Sequence, residues 1–222
     1  MDIVAYTKIK AELDAAGATL VAVSKTKPVE DILALYELGH RDFGENYVQE
    51  LVSKQAQLPS DIRWHFIGHL QGNKAKMIAP FVHLIHGIDS IKLMDTLDKE
   101  GRKIGRVIHG LLQVHIAKEE TKFGFDLNEA RQALSIHFLE GSHEHLKIRG
   151  LMGMASFTDD KEQVKQEFQS LKGLFDEIHH IHPHKKDQFN TLSMGMSGDY
   201  PIALECGSNL VRVGSLLFGS RA

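Results

Sequence analysis

The sequence has a single cysteine, Cys206, in 222 residues. A lone thiol cannot close an internal disulfide, so nothing in the chain asks for an oxidising compartment. An excess of positive charge is also missing: 26 Lys and Arg stand against 29 Asp and Glu, a net charge of −3 at pH 7. That argues against a dominant electrostatic attraction to nucleic acid. No run approaches the roughly 20 apolar residues of a membrane-spanning helix. The opening MDIVAYTKIKAELDAAG is broken by Asp2, Lys8, Lys10 and Glu12, so it has no signal-peptide core. No Pro/Gly/Ser linker or low-complexity tract divides the chain. These absences predict one cytoplasmic domain over residues 1–222, with no nucleic-acid and no membrane partner. A hydrophobic fraction of 42% against 25% charged residues suffices for a sizeable core.

What is present is an alternation of short apolar runs and amphipathic stretches. Residues 18–24 (ATLVAVS) read as a buried strand. Pro28 opens a helical stretch that stops at Gly39. Further strands are expected at 42–44, 64–67, 82–86, 111–116, 148–152, 192–196 and 210–213, with helical segments between them. The clearest helical period is Val164, Phe168, Leu171, Phe175 and Ile178. Strand–helix alternation implies a parallel sheet covered by helices. About eight repeats over this length suit an α/β fold of the closed (β/α)₈ TIM-barrel type, with an open doubly wound sheet as the rival. In a barrel, chemistry sits at the C-terminal ends of the strands.

Three features fall at such ends. Lys25 directly continues the first strand in AVSKTKP, where a partly desolvated amine can form a Schiff base. Lys27 abuts the Pro28 helix start and is the weaker choice. In SMGMSGDYP, Gly195 and Gly198 let the backbone approach a ligand, and the Met196 and Ser197 N–H groups and the Ser197 hydroxyl are phosphate donors. In LVRVGSLLFG, Arg212 lies between Val211 and Val213, and Gly214 and Ser215 supply a second pair of donors. Phosphate sites made by the loops after strands seven and eight recur in barrels. Taken singly, each has a bland reading as a solvated lysine, an ordinary glycine turn or a salt-bridged arginine. Together they fit pyridoxal 5′-phosphate (PLP), whose anchoring and orientation the protein must supply.

The ordered blocks AVSKTKP, RDFGENYVQE, WHFIGHLQGNK, HGIDS, KFGF, IRGLMGM, LSMGMSGDY and LVRVGSLLFGSR span nearly the whole chain. They resemble the pyridoxal-phosphate homeostasis proteins, the alanine racemase N-terminal-domain-like family. The resemblance implies a PLP fold type III barrel without the second β domain. It places the PLP lysine on Lys25, phosphate contacts on Ser197, Gly214 and Ser215 with Met196 adjacent, and the arginine facing the pyridine nitrogen on Arg212. Asn46 matches a polar residue near the cofactor, and Met152 and Met154 match the barrel lining. The segment ahead of the first strand is short for the family and leaves the first helix open.

A cation beside the pyridine nitrogen disfavours its protonation and so weakens the electron sink. A racemase can work with an arginine there but needs a second acid/base, which alanine racemases take from another domain. This chain ends at Ala222, which leaves no room for that domain. The resemblance therefore implies a non-catalytic carrier or buffer of PLP in vitamin B6 homeostasis, with PLP-dependent apoenzymes as recipients and a monomeric state. The alternatives are a weak PLP-dependent racemase or lyase acting on an amino acid, and a Schiff-base aldolase without PLP.

Other features point elsewhere more weakly. Residues 179–184 (HHIHPH) read as an exposed connector with adventitious metal affinity, and His143 and His145 receive the same reading. His65 reads as a satisfied core histidine and His69 as lining the pocket. Arg63, Lys74 and Lys76 are expected to form a small basic patch, and Cys206 to be buried.

Overall fold

The computed structural model describes residues 1–119, 123–139 and 141–219. Lys122 of the KFGF block and residues 220–221 of the last block lie outside the described residues. The chain opens with α1 (Ile3–Ala15), whose first turn is capped by the Asp2 carboxylate accepting from the Ala5 N–H at 2.9 Å. Thus the first helix exists despite the short leading segment. The apolar run that follows becomes β1 (Thr19–Val23), and Pro28 sits at the N-cap of α2 (Val29–Glu37).

The alternation then continues through β2 (Asp42–Glu45), α3 (Val48–Gln55), β3 (Arg63–Phe66), α4 (Gly72–Ile78), β4 (Leu84–Ile88) and α5 (Ile91–Lys103). The second half holds β5 (Ile108–His115), α6 (Leu127–Leu139), β6 (Leu146–Met154), α7 (Lys161–Ile181), β7 (Thr191–Ser193), α8 (Tyr200–Glu205), β8 (Leu210–Val213) and α9 (Ser215–Phe218). All eight strands are parallel and close in chain order, β8 pairing with β1 through Thr19–Leu210 to Ala22–Val213. This is the TIM-type barrel expected, and it rules out the open sheet.

Apolar burial separates into two bodies. The larger lies between the strands and the helices and includes the predicted face of α7, with Phe168 and Leu171 fully buried. A small cluster of Val21, Leu84, Leu111, Met152 and Leu210 fills part of the barrel interior.

The bounds of four strands differ most from expectation. β4 starts two residues later, β5 and β6 are longer, and β7 ends at Ser193 rather than residue 196. The reason for the last is local. Gly195 has φ +91°, and a Cβ there would lie 2.7 Å from the Ala203 Cβ, so the backbone turns out of the sheet at a position only glycine fills. Gly150 is a second constrained glycine. Its φ is +153° and a Cβ would fall 1.7 Å from the Thr191 carbonyl oxygen, next to a register shift between β5 and β6. Gly150→Ala is expected to cost about 3 kcal/mol, read as a lowered urea midpoint at unchanged m-value.

Candidate cofactor site at the C-terminal mouth

The turns after β1, β2, β7 and β8 meet around a cavity of about 440 Å³. Lys25, Asn46, Met196, Ser197, Arg212, Gly214 and Ser215 all line it. The strand-end motifs named six of them and the family resemblance Asn46, and the barrel brings all seven together. Ile67, Met154 and the fully exposed ring of Phe157 complete the apolar side of the wall. A slightly larger cavity of about 500 Å³ lies at the opposite mouth and contains none of the seven.

The root of Lys25 is held on both sides. Ser24 donates its hydroxyl to Glu45 Oε1 at 2.6 Å, and its carbonyl accepts from Lys54 Nζ at 2.7 Å. On the other side the Thr26 N–H donates to Glu50 Oε1 at 2.6 Å. Lys54 Nζ joins the two arms by donating to Glu45 Oε1 (2.7 Å) and Glu50 Oε1 (2.6 Å). Thr26 has φ +63°, the sole positive value for a non-glycine among the described residues. A β-branched residue rarely adopts this conformation, and such strain persists only where surrounding contacts over-determine it. Glu45 is fully buried and its Oε2 has no partner among the described residues. Burial pushes its carboxyl pKa up, against the opposing pull of Lys54 and Ser24.

Arg212 is 4% exposed, and the charge of Asp199 acts on it. Its Nη1 donates to the Ser193 carbonyl (3.0 Å) and to the Ser193 hydroxyl, and its Nη2 to the Gly153 carbonyl (3.1 Å). Burial pulls its pKa down to about 10, so it remains a cation at neutral pH. In the turn after β7 the Met196 N–H donates to Asp199 Oδ1 at 2.6 Å. The Gly214 N–H donates to Ser197 Oγ at 3.2 Å, tying the two glycine turns together. Ser197, Gly198 and Ser215 keep backbone N–H groups for which the described residues offer no acceptor. A primary amine, a buried cation and two turns rich in N–H and O–H donors suit a ligand that joins an aldehyde to a phosphate.

Residues 6–222 match the model of the alanine racemase N-terminal domain. The chain is 40% identical over 209 residues to the pyridoxal phosphate homeostasis protein of Pasteurella multocida, covering 91% of this chain and 86% of that protein. The protein so named from Synechocystis is 37% identical, with 97% of both chains covered. The chain belongs to the pyridoxal phosphate homeostasis proteins of the alanine racemase N-terminal-domain family. Among solved structures, PipY of Synechococcus elongatus is similar both without PLP (TM-score 0.89) and with PLP bound (TM-score 0.86), each at 34% identity and covering 97% of this chain and 98% of that one. Alanine racemase of Clostridium difficile shares the fold at 12% identity and TM-score 0.75.

For this family member, three secondary expectations need correction. His69 does not line the cavity: its Nδ1 bonds to Asp89 Oδ2 at 2.9 Å and its ring stacks on Phe123, 4.4 Å between centroids. Arg63 forms no patch with Lys74 and Lys76, because it opens β3 at the far mouth and pairs there with Asp42, whereas Lys74 and Lys76 lie in α4. Residues 179–184 are not one exposed connector. His179 and His180 complete the last turn of α7, the His179 ring bonds to the Phe189 carbonyl, and His182 is buried. His143 is buried beside His137, with its Nε2 on Asp95 Oδ1 at 3.1 Å. Among the described residues no group of three or more His, Cys, Asp or Glu is placed to hold a metal ion. None of their helices is long and apolar enough to cross a membrane. Cys206 is buried as expected, and burial pushes its thiol pKa up.

The sequence reading missed the Ser24–Glu45–Lys54–Glu50 network and an interior column of Asp42, His65, His86 and Ser193. The strand members (Asp42, Glu45, His65, His86 and Ser193) stand out only as polar residues in strands, and Glu50 and Lys54 lie on α3 with no signal of their own. Buried histidines also have a bulk consequence. Desolvation lowers the pKa of His40, His86 and His137, the last to about 4. The unfolded chain takes up these protons below its ordinary histidine pKa of about 6.5, while the folded chain does not. Stability is therefore complete above pH 6.5 and falls as the pH drops toward the lowered values. A loss of about 4–6 kcal/mol between pH 7 and pH 5 is expected, measured as the urea midpoint. A flat profile would mean that the three rings fold protonated.

Proposed function

We propose that the chain, as a single barrel domain over residues 1–222, holds PLP as a Schiff base on Lys25 and serves as a non-catalytic cytoplasmic carrier of it. The observation that carries this reading is the convergence of Lys25, Arg212 and two donor turns on one cavity. PLP supplies an electrophilic aldehyde and, in enzymes, an electron sink. Lys25 supplies the amine. Ser197, Gly198, Gly214 and Ser215 hold the phosphate, with Ser197 Oγ and the Gly214 N–H exchanging their mutual bond for bonds to it. Asn46 and Met196 border the ring, and Arg212 faces its nitrogen as a cation and keeps that nitrogen unprotonated.

The lining supports the non-catalytic reading. Its titratable members among the described residues are Lys25, Lys27 and Arg212. Lys27 Nζ donates to the Phe218 carbonyl at 2.9 Å. No described carboxylate, imidazole or phenol faces Lys25 across the cavity, which is what a racemase or lyase requires on the second face. The names of the relatives support the same reading. The proposed role passes PLP to PLP-dependent apoenzymes from a monomeric carrier, without nucleic-acid or membrane partners.

The test is the near-visible spectrum of the purified protein with PLP, before and after borohydride, with peptide mapping of the reduced sample. A band that collapses on reduction, with phosphopyridoxyl on Lys25, is the expected result. A protein that acquires no band overturns the cofactor. Amino-acid racemisation at enzymatic rates overturns the carrier role and favours the weak-enzyme alternative.

A further inference from the structure

The barrel interior contains a hydrogen-bonded line that runs from the cofactor cavity to the other mouth. It begins at Arg212, whose Nη1 donates to the Ser193 hydroxyl oxygen. Ser193 Oγ lies 3.2 Å from His86 Nδ1. His86 Nε2 lies 3.0 Å from His65 Nδ1, and His65 Nε2 lies 3.0 Å from Asp42 Oδ1. Asp42 closes the line on Arg63. Ser193 and His86 are fully buried, whereas Arg212 borders the cavity at one end and His65, Asp42 and Arg63 border the cavity at the other.

The donor pattern has one neutral solution. A guanidinium only donates, so Ser193 Oγ accepts from Arg212, and at the far end the Asp42 carboxylate only accepts, so the neutral His65 carries its hydrogen on Nε2 and the line completes with the Ser193 proton pointing to His86. His86 Nδ1 is then the acceptor and His86 Nε2 carries the hydrogen. That hydrogen makes His65 Nδ1 an acceptor and leaves His65 Nε2–H to donate to Asp42. Asp42 is ionised, because its hydrogen bonds with Arg63 and His65 and the charge of Arg63 outweigh burial and hold its pKa well below the carboxylate range. Every bond points the same way, from the cation to the carboxylate.

We propose that His86 is a positioning residue, which fixes the Ser193 hydroxyl so that its oxygen holds the Arg212 guanidinium against the cofactor cavity, with His65 and Asp42 locking the His86 tautomer. Without His86 the Ser193 hydroxyl turns freely, and Arg212 loses an oriented acceptor while keeping two carbonyls. The charged or titratable groups around His86 are His65 on β3, His83 on its own strand and Arg212 on β8, with Asp42 on β2 reached through His65. A proton on His86 Nδ1 would set an N–H against the Ser193 O–H and put a second cation near Arg212. Burial, the first cause, and these three neighbours all drive its pKa well below the usual value.

The tautomer half of this inference is independent of the proposed function; the consequence for PLP rests on it. The first measurement is therefore ¹⁵N NMR of the histidine side chains in the chain without PLP. Both His65 and His86 are expected as Nε2–H tautomers, with His86 neutral from pH 7.5 to 5.5. A His86 ring that carries its proton on Nδ1, or that titrates at the ordinary histidine pKa, overturns the relay whether or not PLP binds. The second measurement compares His86→Gln and His86→Leu by PLP affinity and by the ¹⁵N shift of the labelled PLP ring nitrogen. Glutamine keeps one acceptor for Ser193 and one donor for His65, so both readouts should stay near the parent. Leucine keeps neither: the affinity should fall about tenfold and the ring nitrogen should move toward its protonated shift. Equal ring-nitrogen shifts in parent and leucine variant, with PLP bound in both, overturn the positioning role. A parent that takes up no PLP overturns the proposed function and leaves the tautomer result to decide the relay.

Discussion

Lys25→Ala is expected to remove the borohydride-sensitive band altogether while leaving the urea midpoint within about 1 kcal/mol of the parent. The fold should survive because Lys25 is half-buried at a strand end and belongs to neither apolar cluster. The phosphate turns and Arg212 stand on other strands, so a residual, non-covalent affinity for PLP should remain. Loss of the covalent anchor should weaken that affinity at least about 100-fold, or ~2.8 kcal/mol. The contrast tests the division of labour between anchor and cup. A reducible adduct persisting on another lysine would move the anchor away from Lys25. An affinity equal to the parent's would mean that the phosphate cup does all the holding. Lys27 is the control, since its ammonium is taken by the Phe218 carbonyl and its truncation should leave the band in place.

Of the substitutions, Lys54→Met should have the largest effect on stability, about 3–5 kcal/mol, because it strips the partner from a fully buried carboxylate. Glu45 already has one oxygen without a described partner, and among the described residues the other accepts from Lys54 Nζ and the Ser24 hydroxyl. The sign with pH is specific. A carboxyl whose folded pKa is raised is most easily accommodated at low pH, where it is protonated in both states. The deficit should therefore be small near pH 4 and widen as the pH rises past the ordinary glutamate pKa of about 4.3. Pairing Lys54→Met with Glu45→Gln should recover most of the loss, since both partners are then uncharged. A deficit that does not change with pH would assign the effect to packing rather than to the stranded charge. The single variant should also loosen Lys25, because Lys54 bridges the two carboxylates that hold Ser24 and Thr26.

Much of this was legible in the chain itself. β1 and β8 are short β-branched runs bounded by turns, and their ends fixed Lys25 and Arg212 without long-range information. Glycine marked the two donor turns for a local reason, as at Gly195, where positive φ and the approach of Ala203 exclude a side chain. The end of β7 was overextended because Met194 and Met196 continue an apolar pattern, while the backbone obeys Gly195 between them. The interior column was hidden because its members lie far apart in sequence: His65 meets His86 21 residues away, and His86 meets Ser193 107 residues away. Single histidines in strands carry no sign of which partner they will find. Lys54 was hidden for the same reason: on a helix it looks like any solvated lysine until the barrel folds Glu45 beneath it.

The pinned backbone around Lys25 also bears on how fast an aldehyde can be captured. A lysine side chain sweeps a wide volume when its Cα is free, but here Ser24 is locked below it and Thr26 is held in a conformation it resists. The amine is therefore confined to an arc about a fixed pivot, and its encounter with a carbonyl lodged in the cup becomes an intramolecular event. Holding Thr26 that way costs roughly 1–3 kcal/mol, whereas well-oriented partners can gain up to ~7–11 kcal/mol in effective concentration. The strained turn is thus small against what it returns: it trades a little folding stability for an amine kept within striking distance.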